Sequence, residues 1–269
     1  MEKRMDSAEL GARLELATTL ARQGGQCART FFRDDRLDIR LKGPSDPVTA
    51  ADLAVDRLIR AGIRKTFARD GILSEETGGD TADILWVIDP IDGTQNFSRG
   101  IARFAVSIAV CEAGKPVCGV VYDPIAEELF CARLGGGAFL NDVAVRTSAA
   151  TTPQDALVEA GYSAKFGHGS YHAMTGRLLE AGFGVRQVGS AALGLAEVAC
   201  GRIDGYCESH LESWDVAAAS LLVSEAGGTI SDFFGGDGLH RGGPIVAAAS
   251  GLWERLSAAA ELPRQAGAA

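Results

Sequence analysis

Four apolar residues run unbroken from Leu85 to Ile88 and stop at Asp89-Pro90. Such a run reads as a buried strand. Proline has no N–H and pushes its predecessor into extended geometry, so the strand is predicted to end there. From Phe104 the pattern shortens. Residues 104–111, 116–121, 129–132 and 138–140 read as strands, punctuated by Gly114-Lys115, Asp123-Pro124 and Gly135-Gly136-Gly137; this predicts an antiparallel meander with a hairpin turn at the glycine triplet. Upstream, residues 7–33 have helical composition, with Gly24-Gly25 as a weak point. Val55, Leu58, Ile59, Ile63 and Phe67 recur at spacings of three and four, a helical stripe. Between them, residues 34–47 are polar and hold Gly43 and Pro44, which predicts a loop poor in strand. Beyond residue 150 the periods alternate. A strand is expected at 156–160, helices at 171–181, 191–200 and 215–225 (the last stopped by Gly227-Gly228), then a strand at 245–249 and a helix at 251–260. Residues 263–269 read as a frayed tail. The elements predict a mixed α/β fold.

The chain's 269 residues suffice for one large domain or two closely joined halves. Its 46% hydrophobic content is that of a globular protein. No run approaches the length of a membrane span, and the N-terminus lacks a signal-peptide core, so the cytoplasm is the expected compartment. Six scattered cysteines form no Cys-x-x-Cys and read as small buried hydrophobes. A formal net charge of −9 argues against nucleic acid as the main ligand. A small phosphorylated molecule remains compatible, because bound cations reverse the local sign.

Chemistry concentrates at Asp89-Pro90-Ile91-Asp92-Gly93-Thr94. Two aspartates with a peptide carbonyl between them offer hard oxygen ligands suited to Mg²⁺, Ca²⁺ or Mn²⁺. A helix opening at Thr94 would aim the amides of Gly93 and Thr94 at the same spot, where a phosphate could sit. Asp-Pro and Asp-Gly are also common turn dipeptides, and alone the motif fits either reading. Three further groups share that ambiguity. Glu75-Glu76 follows an apolar pair and is either a third carboxylate or an acidic turn. Asp215 is a ligand or a first-turn aspartate that favours the helix dipole. Thr49-x-x-Asp52 resembles a capping box with Asp in place of Glu.

Five motifs resemble the inositol monophosphatase family, in order from about residue 42 to 228: Val48-Thr49-Ala50-Ala51-Asp52, Glu75-Glu76, the 89–94 motif, Val188-Gly189-Ser190-Ala191-Ala192 and Trp214-Asp215. The family includes bacterial extragenic suppressor phosphatases, which the chain also resembles. The resemblance implies a layered αβαβα sandwich of the inositol monophosphatase and fructose-1,6-bisphosphatase type. It would span residues 1–262, with halves at about 1–146 and 147–262. It also implies a homodimer and two or three Mg²⁺ per subunit, with Mn²⁺ as a substitute and lithium as an inhibitor. Glu75, Asp89 and the Ile91 carbonyl would hold the first ion, and Asp89, Asp92 and Asp215 the second. Glu75 would serve a weaker third. Thr94, hydrogen-bonded to Asp52, would orient the attacking water. The amides of Gly93 and Thr94 would bind phosphate, with Asp92 and Asp215 also facing the substrate. Gly189, Ser190, Ala191 and Glu208 would line the alcohol, and Lys42 would sit on a loop near the site.

Some positions depart from the pattern. Gln95 replaces a common second threonine, residues 77–85 form a short connection, and Glu212 is an extra glutamate read as exposed and idle. His168 and His172 stand four apart, but Gly167 and Gly169 are expected to break that helix and leave surface histidines. The substrate implied is myo-inositol monophosphate, with fructose 1,6-bisphosphate, histidinol phosphate and 3′-phosphoadenosine 5′-phosphate as alternatives. A protein partner in transcription- or ribosome-related regulation is the reading of another class.

Overall fold

Five layers stack in the order helices, sheet, helices, sheet, helices. The computed structural model describes residues 4–34, 39–43, 46–79, 81–162 and 167–262; the predicted frayed tail lies outside them. The first layer holds α1 (Ser7–Phe31) and α2 (Ala50–Thr66). They cover an eight-stranded sheet of order β10-β9-β8-β7-β6-β5-β3-β4. Its strands are β3 (Gly71–Ser74), β4 (Gly78–Gly79), β5 (Ile84–Asp92), β6 (Ala105–Glu112), β7 (Lys115–Asp123), β8 (Glu128–Arg133), β9 (Gly137–Leu140) and β10 (Val143–Val145). The middle layer is α5 (Ala191–Ala199) and α6 (Ser213–Glu225). Behind it lies a five-stranded sheet of order β12-β11-β13-β15-β14: β11 (Leu157–Ala160), β12 (Gly184–Arg186), β13 (Gly205–Leu211), β14 (Gly228–Ile230) and β15 (Gly243–Ala249). A short α7 (Gly238–Arg241) leads into β15. The last layer is α4 (His168–Glu180) and α8 (Trp253–Ala260). The sandwich expected from the sequence is the fold observed.

Side-chain alternation along β5 explains the layering. Trp86 and Ile88 join Leu20, Val55 and Ile59 on the α1–α2 side, while Leu85 and Val87 join Leu195, Ala217 and Leu221 on the other. A strand covered on both faces reads as a continuous apolar run. Helices α5 and α6 lie between two sheets, and nearly every residue from Ala191 to Ala199 and from Val216 to Val223 is buried. Such helices are apolar all round.

Several expectations are corrected. The Gly24-Gly25 weak point does not break α1, because both glycines are contact points: a Cβ at Gly25 would lie 2.7 Å from the Tyr122 ring, and one at Gly24 3.0 Å from Val55. Part of the predicted loop pairs as a hairpin of β1 (Ile39–Gly43) and β2 (Asp46–Thr49). Gly167 precedes α4, so His168 and His172 both lie on an intact helix. Strand β5 continues through Pro90 to Asp92 by a bulge, since Asp89 pairs with Ser107 but Asp92 with Ala105. Two residues of β5, Pro90 and Ile91, thus oppose the single Val106 of β6, and proline is tolerated where the ladder is interrupted.

Candidate active site

Strand pairing assembles the acidic cluster. Strand β3 runs parallel to β5 with Ser74 opposite Ile88, and the Glu75 amide donates to the Ile88 carbonyl at 3.2 Å. Glu75 therefore emerges beside Asp89. The bulge turns Asp92 toward the same side as Asp89, where an odd spacing in a regular strand would have put them on opposite faces. Asp215 arrives from the first turn of α6. Ligand oxygens of Asp89, Asp92 and Asp215 lie within 4.8 Å of one another.

Each carboxylate is anchored. Asp89 accepts from the Ile91 amide at 3.0 Å. Asp92 accepts from the Ala191 and Ala192 amides at 3.2 and 3.1 Å, and from the Ser190 hydroxyl. Asp215 accepts from the Glu212 amide at 2.8 Å, so it caps α6 and also belongs to the acidic cluster. Asp52 likewise has a second contact besides its cap. One oxygen accepts from the Thr49 amide at 2.8 Å and hydroxyl at 2.6 Å, closing the predicted capping box. The other lies 3.2 Å from the Thr94 hydroxyl. That hydroxyl is also 2.9 Å from the Ile91 carbonyl, giving one proton and two acceptors.

The electrostatics call for cations. Burial first, then Glu75, Asp92 and Asp215, push Asp89 well above the usual carboxylate range. Asp215 is raised by burial and then by Asp92 and Glu75. Burial carries Asp92 to about 6 against its hydrogen bonds, and burial likewise carries Asp52 to about 6. An all-oxygen donor set under this mutual repulsion fits hard divalent ions, which relieve the charge that water cannot reach.

Gly93 shapes the turn after β5. Its φ is 96°, a left-handed conformation that favours glycine. A Cβ there would also lie 3.0 Å from the Arg103 carbonyl oxygen and 3.1 Å from that of Gly189. Thr94 then opens the short helix α3 (Thr94–Ser98), as expected.

Of the four residues expected to line the alcohol, two have a job the sequence did not reveal. Ser190 and Ala191 hold Asp92. Glu208 stands on β13, a strand the hydrophobic pattern does not show, and is 4% exposed. It accepts from the Tyr206 hydroxyl at 2.6 Å, and burial pushes it to about 8. Glu212 is not idle: it is the half-buried N-cap of α6, 3.6 Å from His210. The side chain of Lys42 lies outside the described residues. Asn96 is a further residue that the sequence does not single out; its amide donates to the carbonyls of Arg103 and Val188, each at 2.9 Å. Its only sequence signal is a polar residue two places beyond Thr94.

Carboxylate oxygens grouped beside a glycine turn that opens a helix fit a metal-dependent phosphatase class of site. A sequence model of the inositol monophosphatase family matches residues 10–265. An inositol-1-monophosphatase of Mesorhizobium japonicum is 39% identical over 248 residues, 90% of this chain and 93% of the relative. The Nus factor SuhB of Escherichia coli K12 is 42% identical over 240 residues, 87% and 90% of the two chains. Among solved structures, the extragenic suppressor protein SuhB of Bartonella henselae superposes with a TM-score of 0.87 at 36% identity, covering 96% of this chain and all of that one. An IMPase of Thermotoga maritima gives 0.82 at 31%, covering 93% and 97%. The chain belongs to the inositol monophosphatase family, whose members are metal-dependent phosphatases.

Proposed function

We propose that this protein hydrolyses myo-inositol monophosphate to inositol and phosphate, using Mg²⁺. The observation that carries the reading is the convergence of Asp89, Asp92 and Asp215 beside the Thr94–Asp52 pair. Glu75, Asp89 and the Ile91 carbonyl would hold one ion, and Asp89, Asp92 and Asp215 a second; Glu75 would serve a weaker third. Mg²⁺ bound there supplies positive charge against the phosphoryl oxygens and makes water more acidic. The remaining work falls to the chain. With the Ile91 carbonyl among the donors that would hold the first ion, the Thr94 hydroxyl would donate to Asp52, and its oxygen would accept from the attacking water and orient it. Burial holds Asp52 above the usual carboxylate range in the metal-free protein, and its second oxygen is the acceptor within reach of Thr94. The Gly93 and Thr94 amides hold the phosphate, and Gly189, Ser190, Ala191 and Glu208 meet the leaving alcohol.

A phosphate-release screen tests this. The panel is inositol monophosphate, fructose 1,6-bisphosphate, histidinol phosphate and 3′-phosphoadenosine 5′-phosphate, with Mg²⁺, with and without lithium. Lithium-sensitive preference for the first is expected. Activity surviving exhaustive EDTA would overturn the metal reading.

The relatives named Nus factor favour a second reading, a protein-binding role in transcription. Partners retained by Asp89→Asn in a pull-down would establish it as independent of catalysis; their loss would count against it. A homodimer and a cytoplasmic location complete the proposal. Sedimentation at micromolar concentration checks the first and fractionation the second. Among the described residues no helix is long and apolar enough to cross a membrane.

A further inference from the structure

The phosphate turn and the alcohol wall belong to different sheets. Gly93 closes β5 of the large sheet, while residues 188–190 lead from the edge strand β12 of the small sheet into α5. Hydrolysis needs these two surfaces in one fixed relation, because an ester bridges them. The side chains of Asn96 and Arg103 span the gap. The Asn96 amide nitrogen donates to the Val188 carbonyl at 2.9 Å and lies 3.2 Å from that of Gly189. On its own side it meets the Arg103 carbonyl at 2.9 Å. Three acceptors converge on a group that offers two protons. The Arg103 guanidinium reaches across the same boundary. It grips Glu197 of α5 with two bonds, at 2.7 and 3.2 Å. Glu197 is also paired with Arg186 of β12, which Glu159 of β11 holds at 2.9 Å. The Arg103 Nε is buried with no partner among the described residues, so the residue gives up one hydrogen bond to keep this geometry. Space is as tight as the bonding: a Cβ at Gly189 would lie 3.3 Å from the Asn96 amide.

We infer that Asn96 and Arg103 are positioning residues for the reaction, a strut that fixes the alcohol wall at 188–191 against the phosphate turn at Gly93. Neither touches the reacting atoms. Asn96 ties the loop and Arg103 ties the helix that follows it. The inference rests on the reading of 189–191 as the wall for the leaving alcohol.

A strut and a general packing role predict different kinetics. Inorganic phosphate needs the turn alone, whereas an ester needs turn and wall together. With Asn96→Ala, the KM of the ester should rise roughly tenfold, the effect of a lost hydrogen bond at a partly buried site. The inhibition constant of phosphate, measured with Mg²⁺ present, should stay within about twofold, since uniform binding at the turn is intact. Asn96→Ser, which keeps one donor, should recover part of the loss. A phosphate constant that rises in step with KM would overturn the inference, as would no change in either. Loss of a cooperative melt in both variants would also overturn it, since Asn96 would then be holding the fold and not aligning a formed site. The ester is whichever of myo-inositol 1-phosphate and p-nitrophenyl phosphate the wild type hydrolyses faster. Wild-type rejection of inositol phosphate alone overturns the proposed substrate and leaves this test standing. Rejection of both overturns the two together.

Discussion

Asp89 is where metal chemistry and stability pull in opposite directions. It is 2% exposed and surrounded by Glu75, Asp92, Asp215 and Asp52. Asp89→Asn removes a charge that its neighbours oppose. The variant should therefore melt higher than wild type without Mg²⁺ and lose hydrolysis by a factor of about a thousand, as removal of a preorganised electrostatic group does. Scanning calorimetry and a phosphate-release assay check the two halves, and a lower Mg²⁺-free melt would contradict the first. Thr94→Ala should lower kcat about 100-fold, within the range for lost proton handling, and change the melt little, because Asp52 keeps its bonds to Thr49. The grouping of Asp89, Asp92 and Thr94 was legible in the sequence because Asp-x-x-Asp-Gly-Thr is compact, and the resemblance to the family supplied the roles proposed for them. Ser190 was harder to see. Its bond to Asp92 spans 98 positions, and nothing local announces a partner so far away.

At the scale of elements, hydrophobic pattern exposed what is local and concealed what depends on neighbours. Helix α2 and the meander of β6 to β9 carry their periodicity in sequence, α5 and α6 are apolar runs of helical length, and all of them formed where expected. Strand β13 did not announce itself, because Gly205–Leu211 mixes glycine, tyrosine, glutamate, serine and histidine. It is held by pairing on both sides, with β11 and β15, so tertiary partners override weak propensity. The hairpin of β1 and β2 escaped because its strands are short and polar and form a two-stranded sheet of their own. Packing between elements also makes a testable demand. Gly119 of β7 faces α6, and a Cβ there would lie 2.4 Å from the Ala218 carbonyl oxygen, a backbone atom. Gly119→Ala should destabilise the protein by about 1–3 kcal/mol, the usual range for overpacking. Because α6 carries Asp215, the concentration of Mg²⁺ for half-maximal activity should rise as well. Denaturant melts and a Mg²⁺ titration measure both.

For the whole molecule, the acidic cluster sets the response to pH and metal. Folding raises Asp52 and Asp92 from 3.8 to about 6 and Glu208 from 4.5 to about 8. The folded state thus binds more protons than the unfolded chain above pH 4, and stability of the Mg²⁺-free protein must fall as pH rises. The loss begins near the unfolded values, runs through pH 6 for the aspartates and extends to about 8 for Glu208. Each tenfold change in a group's proton affinity corresponds to about 1.4 kcal/mol. Glu197, lowered because its salt bridges outweigh burial, acts with the opposite sign but below that window. Millimolar Mg²⁺ should reverse the trend, because ions bind the deprotonated cluster of the folded state alone and add RT ln(1 + [L]/Kd). Melts at pH 5 to 8, with EDTA and with Mg²⁺, should diverge as pH increases. A Mg²⁺-free melt that rises across this range would sink the account.

The extra residue between Asp89 and Asp92 makes chain length part of the site's information. It lets Ile91 bury its side chain in the same core as Ile88 while its backbone leaves the ladder: the amide turns to Asp89 and the carbonyl to Thr94. Substitution of Pro90 alters a side chain and leaves the count intact. Deletion of Pro90 would restore an even ladder against β6, with both aspartates still on one face. Ile91 would then stand directly opposite Val106, and its carbonyl would lie in the plane of the sheet, where a regular strand holds every carbonyl. The deletion thus keeps each carboxylate and withdraws the one backbone oxygen. It should abolish activity at ordinary Mg²⁺ concentrations where Pro90→Ala retains it. The motif is written in number as well as in letters.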